Sequence, residues 1–266
     1  MMQARRPAPI IRALAWLLLL FLFVPSFIAV PMSFTPQDYL SLPDAHLSLR
    51  HYEELFFGRD WLRSIGQSFV VALISSCLAT AMGTFAVIGI WSLSPRFSEL
   101  IRGFLIVPLI IPPIISAIAF YRLLIDLDLI DTYAGTILAH TILGLPFVVL
   151  CLTGAISNVD ARLEHAARSL GATMFQSIAL VIVPAVRPGI LTGALFAFVA
   201  SWDELVVVLF ISSFEIYTLP RRIWEGLRWN VDPVIAAVAT LMLVLTMAAI
   251  ILHLVIDRHR ARKGAA

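Results

Sequence analysis

Two acids in a row, Asp203 and Glu204, follow Trp202 inside a stretch that is otherwise apolar, FAFVAS before and LVVVLF after. An ionisable side chain at the centre of a membrane helix costs about 3 kcal/mol or more unless it is paired or faces a wet cavity. Three uses fit such a pair: a translocation path that meets a cationic solute, the proton or sodium site of an ion-coupled carrier, or a structural ion pair with another helix. Covalent chemistry is not among them. The single lysine, Lys263, lies near the end of the sequence, so no Gly-x-x-x-x-Gly-Lys-Ser/Thr phosphate loop exists. Neither Gly-x-Ser-x-Gly nor His-Glu-x-x-His occurs in the apolar runs. Cys77 and Cys151 sit in such runs without a neighbouring partner and read as small buried hydrophobes. His140 has no second metal-type residue nearby and reads as an interfacial or hydrogen-bonded histidine. No catalytic or metal-binding residue and no cofactor is expected in this chain; if ATP drives it, ATP and Mg bind a partner.

The elements that must position these acids are membrane spans. With 60% hydrophobic and 14% charged residues among 266 and a mean hydropathy of +0.94, the chain belongs to the polytopic membrane class and is expected to be all-α. Six spans are expected, at about 10–30, 65–91, 103–124, 136–156, 189–210 and 234–256, in a single transmembrane domain over 10–256. Short tails, 1–9 and the basic 257–266, flank it, and the first span is read as uncleaved. Ala72, Ser76, Thr80 and Thr84 repeat every fourth residue on the second span, a small-residue ridge that lets helices approach closely. Pro108, Pro112 and Pro113 must kink the third. Counted from Pro188, Asp203 lies about 22 Å along the fifth helix, past the midplane.

One polar-led interruption stands out, DARLEHAARSLGATMFQSIALVIVPAVRP from Asp160 to Pro188. Leu163, Ala166, Ala167 and Leu170 recur at i, i+3, i+4 and i+7 and make one narrow apolar stripe, with Arg162, His165 and Arg168 off it. Asp160 is a candidate N-cap and Gly171 a C-terminal stop. Thr173 and Gln176 read as a capping box opening a second short helix, expected to end near Pro184 and Pro188. The result is a helix-Gly-helix elbow.

This elbow resembles the EAA loop of permease subunits of binding-protein-dependent ABC importers, type I. That family's pattern is Glu-Ala-Ala, three residues, Gly, nine residues, Ile-x-Leu-Pro. Ala166, Ala167, Gly171 and Pro184 fall at the matching positions, Val181 and Val183 replace the Ile and Leu, and His165 stands where the family has Glu, with Glu164 one residue earlier. The resemblance implies a cytoplasmic coupling helix, carried by Leu163, Glu164, His165, Ala166, Ala167, Leu170, Gly171 and Pro184, that inserts into a cleft on an ATPase subunit. It further implies an ATPase dimer, a second permease chain and a periplasmic solute-binding protein as partners, membrane lipid around the spans, and no nucleic acid.

Charge placement speaks to the same orientation independently. With the N-terminus inside, twelve of the nineteen Lys and Arg residues fall on the cytoplasmic side, which puts both termini and the elbow in the cytoplasm; the family resemblance implies that the membrane is a bacterial inner membrane. From Ser201 through Leu219, Pro220, Pro233 and Ala239 the sequence is similar to the polyamine (spermidine/putrescine) branch, which has an acidic pair at this place. That likeness implies Trp202, Asp203 and Glu204 on the path of a small organic cation. Arg221, Arg222 and Trp224, in what is expected to be an outer loop over 211–233, read as a docking surface for the solute-binding protein. The competing reading is an ion-coupled secondary carrier using Asp203 and Glu204.

Overall fold

The computed structural model describes residues 9–44, 46–91, 95–160, 162–229 and 231–263. Among these every regular element is helical: α1 (Pro9–Met32), α2 (Arg50–Phe57), α3 (Arg59–Trp91), α4 (Pro95–Ile110), α5 (Pro113–Asp126), α6 (Tyr133–Ile156), α7 (Arg162–Ser169), α8 (Met174–Ser177), α9 (Val183–Trp202), α10 (Val206–Ile211), α11 (Leu219–Trp229) and α12 (Val234–Lys263), with a π-helical segment, Ile178–Ile182, joining α8 to α9. Five are long and apolar enough to cross a membrane, six if the bent pair α4 and α5 is one span. Backbone amides have no water to bond in hydrocarbon, so an apolar chain of this kind satisfies them inside helices.

The chain divides into two compact units, Met1–Leu62 with Ile223–Ala266, and Arg63–Arg222. In the first, α12 packs along α1 and α2. Nearly the whole of α1 is exposed, Trp16 and Phe21 included, as befits a helix whose solvent is lipid. The segment before α2 folds back on it: Ser33 Oγ lies 2.7 Å from the Tyr52 hydroxyl, and the Phe34 and Tyr52 rings are 5.5 Å apart.

In the second unit α6 and α9 are the central pair. Gly189, Gly193, Ala197 and Ser201 repeat every fourth residue along α9 and are all buried. A Cβ on Gly189 would meet the Ala155 Cβ at 2.4 Å, and one on Gly193 the Val148 Cα at 3.0 Å. Lipid tails are as apolar as the helices, so close backbone approach over small residues, rather than hydrophobic drive, holds such a pair. On α3, Ala72 and Ser76 of the expected ridge are buried and Thr80 and Thr84 half-buried, while Ala79, beside the ridge, clusters with Val148 of α6 and Ala197 of α9.

Several expectations change. The third span, 103–124, is two helices meeting at 100° around Ile111–Pro112, sharper than a kink: Pro113 starts α5 afresh, and Pro108 stays inside α4. The fifth, 189–210, begins earlier and ends at Trp202. The loop expected over 211–233 contains α11, and the last helix runs past 256 to Lys263. Cys77 is exposed and Cys151 only half-buried, so neither is the buried hydrophobe expected.

Candidate coupling site and translocation path

The elbow is built by local hydrogen bonds. At the start of α7 the Arg162 amide donates to the Asp160 carboxylate at 2.9 Å, filling one of the unpaired donors of a helix N-terminus. At its end the Ala172 amide reaches the Ala167 carbonyl at 3.1 Å and the Gly171 amide the Arg168 carbonyl at 3.0 Å, a Schellman closure. Gly171 takes φ +93°, the left-handed region in which a Cβ is strained. Two residues on, the Gln176 amide donates to Thr173 Oγ1 at 3.3 Å and the Thr173 amide to Gln176 Oε1 at 2.8 Å, so the capping box is present in both directions.

No residue of α7 is buried. Of the apolar stripe, Leu163 is 49% and Leu170 90% exposed, and Phe175, just past the turn, is 84% exposed. Glu164 turns to Arg168 at 3.7 Å, while His165 is exposed. Among the described residues, then, most of this stripe is left open, with Ala167 only half-buried.

The second arm does not stop at the prolines. Pro184 has no amide, so the α-helical bond to Leu180 is missing; the π turn over Ile178–Ile182 precedes it, and the Val183 amide bonds the Ile178 carbonyl. Past that turn the chain re-enters α9 with Pro184 in the first turn, where a missing donor costs least. Ile182 and Val186 bury themselves against Val87, Val149, Leu152 and Ile156. An exposed elbow is thereby fixed to a rod that is buried along one face.

At the other end of that rod α9 terminates in Trp202. Asp203 caps it and is exposed. Glu204 turns inward as a cap: its Oε1 accepts the Val207 amide at 2.8 Å at the start of α10. Trp202 stacks on Phe198 with ring centres 5.9 Å apart, and Phe198 meets Phe69 edge-on at 6.1 Å. The acidic pair thus divides, one carboxylate committed to a helix start and one open.

Two positions near this break carry more than the sequence suggested. His140 is buried on α6, its Nδ1 is 2.7 Å from Ser201 Oγ, and that hydroxyl accepts from Ser75 Oγ at 3.0 Å, so three helices share one polar node. Asp131, in the α5–α6 turn, accepts the amides of Ser213, Phe214, Glu215 and Ile216 at 2.9, 2.8, 3.0 and 3.2 Å. Partial burial alone would raise its pKa, but the four donors outweigh that and hold the carboxyl below its usual range. Gln67 grips the same connection from α3, donating to the Glu215 carbonyl at 2.6 Å and accepting the Tyr217 amide at 2.7 Å.

The arginines expected at a docking surface are engaged within the chain. Arg221 and Arg222 both lie over the Tyr217 ring, at 4.8 and 4.9 Å, and Arg222 Nε donates to Ser64 Oγ at 3.0 Å. Trp224 is exposed on α11.

Residues 79–262 match the family described as binding-protein-dependent transport system inner membrane component. The chain belongs to this family. It is a permease subunit of an ABC importer and a multi-pass inner-membrane protein, with no enzymatic reaction of its own. Family membership implies an ATPase, a second permease and a binding protein as partners in general, and favours the importer over an ion-coupled carrier. The chain is 29% identical over 238 residues to the spermidine/putrescine transport system permease protein PotC of Haemophilus influenzae, covering 90% of this chain and 92% of that one. It is 30% identical over 234 residues to the putrescine transport system permease protein PotI of Escherichia coli K12, covering 84% and 82%. Its fold is similar to that of a bacterial ABC transporter involved in the import of the acidic polysaccharide alginate, with TM-score 0.69, 15% identity and 94% of each chain covered.

Proposed function

We propose that this permease subunit imports a polyamine or similar small organic cation, handed over by a periplasmic solute-binding protein and driven by ATP and Mg on a pair of ATPase subunits. The observation that carries the coupling role is α7, a capped helix with an apolar stripe and no buried residue, fixed at one end of the α9 rod. Nucleotide-driven closure of the ATPases shifts α7, and the rod, too tightly packed on α6 to slide, carries that shift into the bundle. His165 takes the place of the family's glutamate as a cleft contact, with Leu163, Ala166, Ala167 and Leu170 as its apolar floor. Both termini and the elbow lie in the cytoplasm, in line with the bias of Lys and Arg.

The cargo assignment rests on the two polyamine permeases named above, and the chemistry is compatible with it: an exposed carboxylate, Asp203, beside an aromatic residue, Trp202, suits a cationic solute. Glu204 holds the break open for it by capping α10. On the outer face Trp224 offers the contact to the binding protein, and Arg221 and Arg222 brace the connection behind it. The second permease is a homologous chain.

The test is uptake of labelled spermidine and putrescine by cells carrying this chain with its partners, alongside co-purification of the ATPase. Gly171→Asp is expected to abolish both, and Asp203→Asn to reduce uptake or change amine preference. An ATPase that stays bound to Gly171→Asp with normal uptake sinks the coupling role. Import of another solute with no polyamine uptake sinks the cargo.

A further inference from the structure

Three helices, α3, α6 and α9, meet in layers that lead up to the break after Trp202. Ser75, His140 and Ser201 form one layer, Ala79, Gly144 and Ala197 the next, and Gly83, Val148 and Gly193 a third, each four residues from the last. The second and third close on small side chains: a Cβ on Gly144 would lie 3.3 Å from the Ala197 Cβ and 3.5 Å from the Ala79 Cβ, and one on Gly83 2.7 Å from Val148 Cγ1. Contacts of this kind fix how close the helices lie, but dispersion carries no direction of its own. Hydrogen bonds do. The first layer is the polar one, and all three of its members are buried. Ser201 is also the last residue but one of α9, so whatever holds Ser201 holds the end of the helix from which Trp202 and Asp203 project.

The ring of His140 works through one nitrogen. Ser75 has a single hydroxyl hydrogen and two acceptors in reach, Ser201 Oγ at 3.0 Å and the Ala72 carbonyl at 3.3 Å. Given to the nearer, it leaves Ser201 to donate its own hydrogen to His140 Nδ1 at 2.7 Å, and the ring hydrogen then sits on Nε2. That nitrogen is wholly buried and has no hydrogen-bond partner among the described residues. The useful half of the side chain is therefore Nδ1. An asparagine amide reaches where Nδ1 does and can both donate and accept, a glutamine amide reaches where Nε2 does, and leucine fills the volume with neither.

We propose that His140 is a positioning residue of the translocation path: by holding Ser201 it sets where α9 ends and in which direction Trp202 and Asp203 stand. That the break lies on the path is the reading given under the proposed function, and this inference rests on it. Losing one hydrogen bond between membrane helices shifts a local equilibrium by about threefold, and by about twentyfold at most. Such a change is too small to unfold a bundle closed by two small-residue layers, and large enough to loosen the last turn of one helix.

The experiment compares wild type with His140→Asn, His140→Gln and His140→Leu in the assembled transporter. Two readouts do not depend on how much of it folds: ATP hydrolysed per molecule of solute imported, and the ratio of labelled spermidine to putrescine taken up. Hydrogen exchange over residues 201–205 is followed in the same proteins, with the Asp203 amide, bonded to the Val199 carbonyl at 3.0 Å, as marker. In His140→Gln and His140→Leu exchange is expected to quicken about threefold and the ATP cost per solute to rise about threefold, with amine preference shifted. His140→Asn is expected to match wild type in all three, and His140→Asn and His140→Gln to melt within a few degrees of it. Wild-type exchange in His140→Gln, or His140→Asn as altered as His140→Gln, overturns the inference. Faster exchange in His140→Gln with both transport ratios unchanged keeps His140 as the holder of the α9 end and removes the break from the path. A raised ATP cost for an imported solute that is not a polyamine keeps the inference and removes the cargo reading alone.

Discussion

Asp131 does at one residue what a short strand pairing would otherwise do. Its left-handed backbone, φ +56°, is one that aspartate tolerates better than most residues, and it turns the carboxylate onto four successive amides of the α10–α11 connection. Asp131→Asn keeps the shape but removes the charge and half the acceptor capacity. Hydrogen exchange at Ser213–Ile216 is expected to quicken about tenfold, equivalent to roughly 1–2 kcal/mol for lost charge-assisted bonds. The pH dependence follows from the direction of the shift. Because the folded carboxyl lies below its usual value of 3.8, its contribution is complete above that value and disappears as pH falls through the lower, folded one. Exchange protection of these amides in wild type should therefore hold at mildly acid pH and fail only in strong acid, whereas Asp131→Asn should show no such loss.

Among the elements, the α6–α9 pair sets the tolerance of the bundle. Gly193→Leu drives a side chain into the Val148 backbone, which cannot yield as a rotamer can, and is expected to cost about 1–3 kcal/mol by overpacking. Gly154, also on α6, has nothing within 4 Å of an added Cβ. Thermal unfolding in detergent should separate the two, with Gly193→Leu melting several degrees lower and Gly154→Leu near wild type. This contrast also marks what was legible in the sequence. The Asp160 cap, the Gly171 stop and the Thr173–Gln176 box are bonds between residues at most five apart, and their residue types announce them. The four-residue ladder from Gly189 to Ser201 was equally open to inspection, and the α3 ridge was read by the same rule. The Asp131 clamp spans 82 to 85 residues, and no local pattern encodes it. Pro184 misled for a physical reason: a proline ends an α-helix unless the turn before it is widened, and the π turn before this one is a tertiary solution held by Ile182 in the core. The break at Trp202 was hidden because a run of Val and Leu after an acidic pair reads as continuous span, when Glu204 in fact starts a new helix.

At the scale of the whole molecule, the proposed division of labour between this chain and an ATPase turns on an exposed elbow. His165→Asp places an acid beside Glu164 on a surface proposed to enter a cleft built for a different residue. Co-purified ATPase and ATP-driven uptake are both expected to fall several-fold while insertion and thermal stability stay at wild-type levels; unchanged uptake would leave His165 without a role in docking. Between that elbow and the glycine ladder lies the π turn, and its consequence is one of phase. Each residue of an α-helix advances the side chains by about 100°, and a π turn accommodates one residue more than the α-helix it interrupts. Excising a single residue from Ile178–Ile182 would let the rod close into plain α-helix with the elbow near its present phase, whereas winding all five residues into plain α-helix would swing the elbow by about 100° relative to the packed ridge, leaving every side chain of the proposed coupling surface intact and pointing the wrong way.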